Sequence, residues 1–377
     1  MKKLIKQIIN INNYLQLPVP CDKDWDYLIK FCSYHELLPL LFLKYNHQLP
    51  PEKQEKFRVN YYFSIARNMV LMEEFLKLKT KFEKTGIEFL PLKGIDFINT
   101  IYPDINFRSM TDIDILVPKQ KLKKCEQIVI NNLGYYKILA GKKEKYWLNY
   151  HCHLMYHKIL SGINIHLELH WALDFRRFKN INFEQLWNRR KKIFINDTEI
   201  NILSPEDTII SLGLHQRRFH NPLIIKNIMD AYFILNNYTI DWNYIIMIAY
   251  KYRLRTTINL LLNAIQEIYK IDFENIKQRL RIKKFVDYVQ KKIISKFIYN
   301  SEMFDNSYVR KKVYFQLYFF MYDTWWEVLY YLFFIAPEKF ASFFNIPTYS
   351  FQNRLWYRLR LLYAPLRLLS IFFKNKV

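Results

Sequence analysis

The apolar spacing of this chain changes character twice, and that change limits the folds open to it. Up to residue 85, apolar residues recur every three to four positions, as in WDYLIKFCSYHELLPLLFLKY and NMVLMEEFLKLKTKFEKTG, which predicts helices. The second stretch stops at Gly86, a fitting residue just past a helix end. From 86 to 203 the pattern breaks into short runs. IEFLPL (87–92), MTDIDILVP (110–118) and GINIHLELHWAL (162–173) have strand composition. KGIDFINTIY reads as a turn leading into a helix, and KQKLKKCEQIVINNLGY as an amphipathic helix stopping at Gly134. Strand alternating with helix predicts a small α+β or α/β domain with a mixed sheet, flanked on both sides by helical regions.

Helical spacing returns at LSPEDTIISLGLH, where Ser204 is the expected N-cap, Pro205 the first helical residue, and Glu206 and Asp207 sit in the first turn. The expected division is an N-terminal helical region (1–85), the α/β domain (86–203), a helical domain (204–310) and an aromatic, basic helical tail (311–377). The tail run VYFQLYFFMYDTWWEVLYYLFFIA is long enough to span a bilayer, but Asp323 and Glu327 lie near its middle. A charge at the bilayer centre costs on the order of 3 kcal/mol, so a buried helix is the expectation. The last stretch carries Arg354, Arg358, Arg360, Arg367, Lys374 and Lys376 with no acid, which suits peripheral contact with an anionic membrane surface or packing on the protein itself.

Several classes are excluded. Hydrophobic residues make up 51% of the 377, so a packed core is expected rather than disorder. Only 6 glycines occur, and neither G-x-G-x-x-G nor a Walker-type phosphate loop is present. Cys21, Cys32, Cys125 and Cys152 form no C-x-x-C, so a reducing, cytoplasmic setting fits best. The opening MKKLIKQIININNYLQL lacks the apolar core of a signal peptide. A net charge of +23 favours anionic partners, such as polyphosphates, nucleic acid or anionic lipid, although abundant Lys, Asn, Ile and Tyr also mark an AT-rich coding sequence.

The chemistry concentrates in FRSMTDIDILVP. On a strand, Asp112 and Asp114 point to one face while Ile113 and Ile115 point to the other. Two carboxylates so placed repel each other when desolvated, and divalent cations with phosphate substrates are the usual remedy. Glu168 in IHLELHW shares a strand face with His166 and His170 and supplies a third carboxylate. PLKG (91–94) follows a strand and precedes an expected helix, where backbone N–H groups receive phosphate; Lys93 adds charge and Gly94 permits close approach. Arg108 is suited to paired bonds with phosphate oxygens.

The order LPLKG, FRSMTDIDILVP, INIHLELHW resembles the DNA polymerase β-like nucleotidyltransferase superfamily. Within it, the chain is similar to a largely uncharacterised bacterial nucleotidyltransferase family with an LKG element, a D-x-D strand and a later E-L-H-W strand. YHELLPLLF, RNMVLMEEF and LSPEDTIISLGLH extend the likeness over about 25–240. The resemblance implies a magnesium-dependent transferase that moves a nucleoside monophosphate from an NTP to an acceptor and releases pyrophosphate. It implies two Mg²⁺ (or Mn²⁺) ions held by Asp112, Asp114 and Glu168, with Glu168 a proton acceptor, and a triphosphate held by Lys93, Gly94 and Arg108. The superfamily's serine after the glycine is absent, since Ile95 follows Gly94. The acceptor is not readable from the sequence: a protein hydroxyl, a sugar or a small molecule is favoured over a nucleic acid end, and the net charge of +23 does not decide it.

Two other readings remain open. A zinc-dependent hydrolase would use His151, His153, His166 and His170, with His157 enlarging the cluster. A non-catalytic module would bind nucleotide or a membrane surface. Downstream, His215, Lys226 and Asp230 fall in a helical region expected to face the acceptor, with Asp230 an acid that supports the site residues, an acid that binds the acceptor, or part of a solvated helix face, the last being the expectation.

Overall fold

The computed structural model describes residues 2–10, 20–175, 180–195, 197–217, 223–333, 336–343 and 346–362. Five strands form one mixed sheet: β1 (Leu90–Lys93), β2 (Asp112–Leu116), β3 (Tyr136–Ile138), β4 (His153–Leu160) and β5 (Ile163–His170), in the order β1-β2-β5-β4-β3. Strands β2 and β5 run parallel, and the other pairs are antiparallel. A separate hairpin pairs β6 (Lys191–Ile195) with β7 (Thr198–Ile202). The fold is therefore a mixed α+β one with helices on both flanks, as expected.

The alternation in DIDIL decides which way the sheet faces. Ile113 and Ile115 are fully buried together with Leu167 and Leu169 of β5, against Phe75, Leu78 and Phe82 of the helix Pro51–Lys84 and Val129 of the helix Leu122–Asn131. The opposite face carries Asp112, Asp114, Glu168 and His170. A one-residue slip of β2 would exchange the two faces, so the apolar set fixes where the carboxylates point.

The helical flanks share a second core. Trp25, Leu28 and Phe31 pack in one apolar cluster with Ile258, Phe297 and Phe304. Tyr27 donates to the Tyr299 carbonyl at 2.8 Å, and Lys30 pairs with Asp305 at 2.7 Å. The 34-residue helix Pro51–Lys84 serves both cores. Phe57 and Tyr61 lie in the helical core, while Leu71 to Phe82 lie against the sheet.

Local signals acted where expected. Thr85 caps that helix and Gly86 takes φ +65° just beyond it. Ser204 Oγ accepts from Asp207 N, with Pro205 at the first position of the helix Pro205–His215.

Two expectations change. The helix after Gly94 is only Phe97–Thr100, four residues, too short for a substantial dipole. The aromatic tail is not one buried helix but two, Ser307–Tyr318 and Trp325–Phe333. Between them, Asp323 accepts from Thr256 N at 2.7 Å and Arg255 Nε at 3.0 Å, capping the helix Arg255–Tyr269. No helix among the described residues is long and apolar enough to cross a membrane. Arg367, Lys374 and Lys376 lie outside the described residues.

Candidate active site

Parallel pairing of β2 with β5 sets Asp114 level with Glu168, and Asp112 level with His166. On the other side, β1 carries a register shift between Pro91 and Lys93 that brings Lys93 opposite Asp114. Bulges re-aim side chains next to sites, and this one turns a lysine onto the carboxylate face. Lys93 Nζ lies 2.9 Å from Asp114 Oδ2. His170 Nε2 lies 3.0 Å from both Asp114 Oδ1 and Glu168 Oε2, and His153 Nδ1 is 3.7 Å from that same glutamate oxygen. Asp112 is half-buried and accepts from Thr111 Oγ1 at 3.1 Å.

Burial pushes every carboxyl here upward, but neighbours reverse the outcome for two of them. Asp114 is held well below the ordinary carboxylate range, because Lys93 and His170 outweigh its desolvation. Glu168 is lowered as well, since His170 and His153 overcome burial and repulsion from Asp114. Asp112 goes the other way: burial first, then repulsion from Asp114 and Glu168, raise it against the pull of Lys93. Lys93 and His170 are thus committed to Asp114 and Glu168, and the repulsion that remains falls on Asp112. Asp114 Oδ2 is buried and has Lys93 Nζ as its partner at 2.9 Å. Three carboxylates on one face, with His170 beside two of them, suit a hard divalent cation. Asp114 and Glu168 already place ligand atoms within 4.8 Å of each other.

Gly94 adopts φ +87°, and a Cβ there would stand 3.2 Å from Met110 Sδ and 3.4 Å from Arg108 Nη1. Glycine is therefore favoured by the backbone, and a Cβ would also press Met110 aside by a few tenths of an ångström. Arg108 is brought beside Gly94, but its paired bonds are taken: Nε and Nη2 each donate to Asp230 at 2.8 Å. The expected bidentate grip on phosphate is replaced by a buried internal pair, because desolvated guanidinium and carboxylate satisfy each other. Asp230 is accordingly not on a solvated helix face; it is fully buried and also accepts from Tyr102 Oη at 2.7 Å.

The downstream helices reach the site as expected. His215 Nε2 lies 3.3 Å from Lys93 Nζ, and Asn227 lies 3.3 Å from the other ring nitrogen. Lys226 pairs with Glu36 and donates to the Ser109 carbonyl at 3.3 Å. Glu36 and Asn68 went unnoticed in the sequence as site residues. Glu36 sits at φ +59°. Asn68 holds the loop before β2, donating to the Arg108 carbonyl at 2.7 Å and accepting from Met110 N at 2.8 Å. A polar residue on an otherwise apolar helix face was the available signal for Asn68.

Asp96, two residues past Gly94, was also missed. It is buried, its Oδ1 has no hydrogen-bond partner, and burial above all pushes its carboxyl up to about 7. The folded protein therefore holds a proton that the unfolded chain releases near 3.8, so this residue's stabilising contribution falls as pH rises from 3.8 to about 7. Asp96→Asn is expected to raise the unfolding midpoint at pH ~8. The gain, at about 1.4 kcal/mol per pH unit, is at most about 4 kcal/mol and fades toward pH ~4. Thermal melts of both proteins across that range check this; an equal offset at every pH would contradict it.

The histidine cluster is not the expected one. His166 is exposed and its ring faces His157, with centroids 5.1 Å apart; His151 Nε2 is 3.2 Å from Tyr146 Oη. Among the described residues, the nitrogen and sulfur donors that share one point are Cys152, His153 and His170. The four-histidine hydrolase site therefore does not assemble: His151 ends the helix Glu144–Tyr150 and turns to Tyr146, and His166 turns to His157, so neither joins His153 and His170.

A family model described as an uncharacterised nucleotidyltransferase matches residues 22–270. Among solved structures, the chain is similar to an antigenic nucleotidyltransferase-like protein from Paracoccidioides brasiliensis, at 13% identity and a TM-score of 0.35 over 58% of this chain and 93% of that one. No curated protein matches the sequence.

Proposed function

The chain belongs to this nucleotidyltransferase family, and from that premise we propose that it transfers a nucleoside monophosphate from an NTP to an acceptor hydroxyl with release of pyrophosphate. The observation that carries the reading is the carboxylate face: Asp112 and Asp114 on one strand, Glu168 level with Asp114 on the next, beside the Lys93–Gly94 turn. Asp112, Asp114 and Glu168 would hold Mg²⁺ or Mn²⁺, which when bound neutralises phosphate charge and acidifies the acceptor hydroxyl. Gly94 opens its backbone to the triphosphate, and Lys93 puts a positive charge between that turn and Asp114. Arg108, locked by Asp230, shapes the turn through the Nη1 side of its guanidinium rather than by gripping phosphate. Glu168 has Oε2 engaged by His170, and we assign its Oε1 to taking the acceptor's proton.

The acceptor we favour is a protein hydroxyl, a sugar or a small molecule. The cations at the site are committed internally, Lys93 to Asp114, Arg108 to Asp230 and Lys226 to Glu36, so they form no open row for a nucleic-acid backbone. The test is incubation of the protein and a cell lysate with each α-labelled NTP in turn. Label is expected in one acceptor from one or two nucleotides; no transfer from any of the four sinks the reading.

We further propose, for a cytoplasmic protein, peripheral contact with an anionic inner membrane face. The helix Phe351–Arg358 and the residues after it turn Phe351, Leu355, Leu359 and Leu362 outward, all exposed, with Arg354 and Arg358 alongside. An apolar stripe facing away from the protein beside arginines suits a headgroup interface. Replacing Arg354 and Arg358 by glutamine is expected to weaken flotation with phosphatidylserine vesicles roughly thirty-fold, at about 1 kcal/mol per arginine. Equal flotation with neutral vesicles would contradict it.

A further inference from the structure

We propose that Cys152, His153 and His170 form a second metal site, for a zinc-class cation, on the side of His170 that faces away from the carboxylates. Cys152 Sγ lies 3.8 Å from His153 Nδ1 and 4.0 Å from His170 Nδ1. All three donor atoms fall within 4.8 Å of one another. A tetrahedral zinc with ordinary bond lengths needs sulfur–nitrogen edges of about 3.6 Å, so both sulfur–nitrogen edges stand a few tenths of an ångström from that length.

The two faces of His170 make the argument independent of that spacing. Its Nε2 is 3.0 Å from Asp114 Oδ1 and from Glu168 Oε2, two acceptors that require a hydrogen on that nitrogen. With Nε2 as the donor, Nδ1 is the ring nitrogen left to bind a metal, and it is aimed at Cys152. A ring donating to carboxylate on one side and offering nitrogen on the other is the arrangement that orients metal-binding histidines. The backbone holds the donors in place. His153 pairs with His170 across β4 and β5, and Trp171 N donates to the Cys152 carbonyl at 2.9 Å.

Donor chemistry separates the two sites. Thiolate and imidazole select zinc-class ions, whereas the carboxylate face selects magnesium or manganese. Cys152 and His170 are buried, while His153 retains 14% side-chain exposure, which gives the ion a way in. Binding releases the Cys152 thiol proton, and from a charged His170 ring its Nδ1 proton, to solvent, and leaves one coordination position for water or a ligand. An ion on Nδ1 would hold the Nε2 hydrogen on Asp114 and Glu168, so the second site would fix the wall of the first.

The test uses the full-length, chelator-stripped protein titrated with Co²⁺ in magnesium buffer and reads no transfer activity, so it fails separately from the proposed reaction. One cobalt per chain is expected, with a thiolate-to-cobalt charge-transfer band in the near ultraviolet. Cys152→Ser should remove the band and weaken binding at least ~10-fold, and His153→Gln should weaken it similarly. Cys21→Ser, which removes the exposed thiol, and Asp112→Asn should leave band and stoichiometry unchanged. Absence of the band in the parent protein overturns the proposal. So does a band that survives Cys152→Ser or His153→Gln, or one that disappears in Cys21→Ser.

Discussion

Asp112→Asn should reduce nucleotide transfer by on the order of 10³-fold or more, the scale of removing a charge-stabilising group from a reacting centre, while the protein becomes no less stable. The two effects part because of where the charge sits. Asp112 is half-buried and its carboxyl is raised by burial and by Asp114 and Glu168, so its ionised form is held in the folded state at a cost. Removing that charge relieves repulsion in metal-free buffer. The sign follows from the raised pKa: this group's stabilising contribution is present at low pH and is lost as pH rises through the folded value. Asp114→Asn should also abolish transfer but should cost stability, since that lowered carboxylate neutralises Lys93 and accepts from His170. Measuring α-label transfer and unfolding midpoints on both variants separates the cases. Transfer retained by Asp112→Asn would end the assignment of this face as the reacting centre.

The second large effect is expected at Asp230→Ala, which should lose about 3–5 kcal/mol of folding stability, the usual result of leaving one partner of a buried pair uncompensated. Arg108 would then lose the carboxylate bonded to its buried guanidinium, and Tyr102 would lose its acceptor. Urea unfolding measures this directly. The double variant Arg108→Met/Asp230→Leu should recover much of the loss while still impairing transfer, because the guanidinium beside Gly94 is gone. A single Asp230→Ala variant unfolding within ~0.5 kcal/mol of the parent would show the pair to be slack.

What the sequence disclosed depended on how local each device is. The D-x-D strand was legible because alternating Ile and Asp is a two-residue pattern, and the Ser204 cap because Ser-Pro-Glu-Asp is a contiguous signal. Strand β4 escaped notice because HLMYHKIL alternates buried Leu154 and Tyr156 with half-buried histidine and methionine, which reads as a histidine cluster rather than a strand. Hairpin β6–β7 escaped because Phe194 is exposed and Lys191 and Lys192 mask its apolar face; its turn shows only in Asp197 at positive φ. Lys93 was named, but its aim was not, since a bulge depends on the partner strand. Arg108 and Asp230 are 122 positions apart, and nothing within either segment announces the other.

The helix Pro51–Lys84 acts as a strut about 50 Å long. One half is gripped by the helical core and the other by the sheet, so the two bodies cannot rock against each other without bending it. Asn68 stands where the grip passes from one core to the other, and there it holds the loop that leads into Asp112. The strand that carries Asp112 and Asp114 is thus hung from a single 34-residue helix. Local loosening of either core will be felt at the same asparagine.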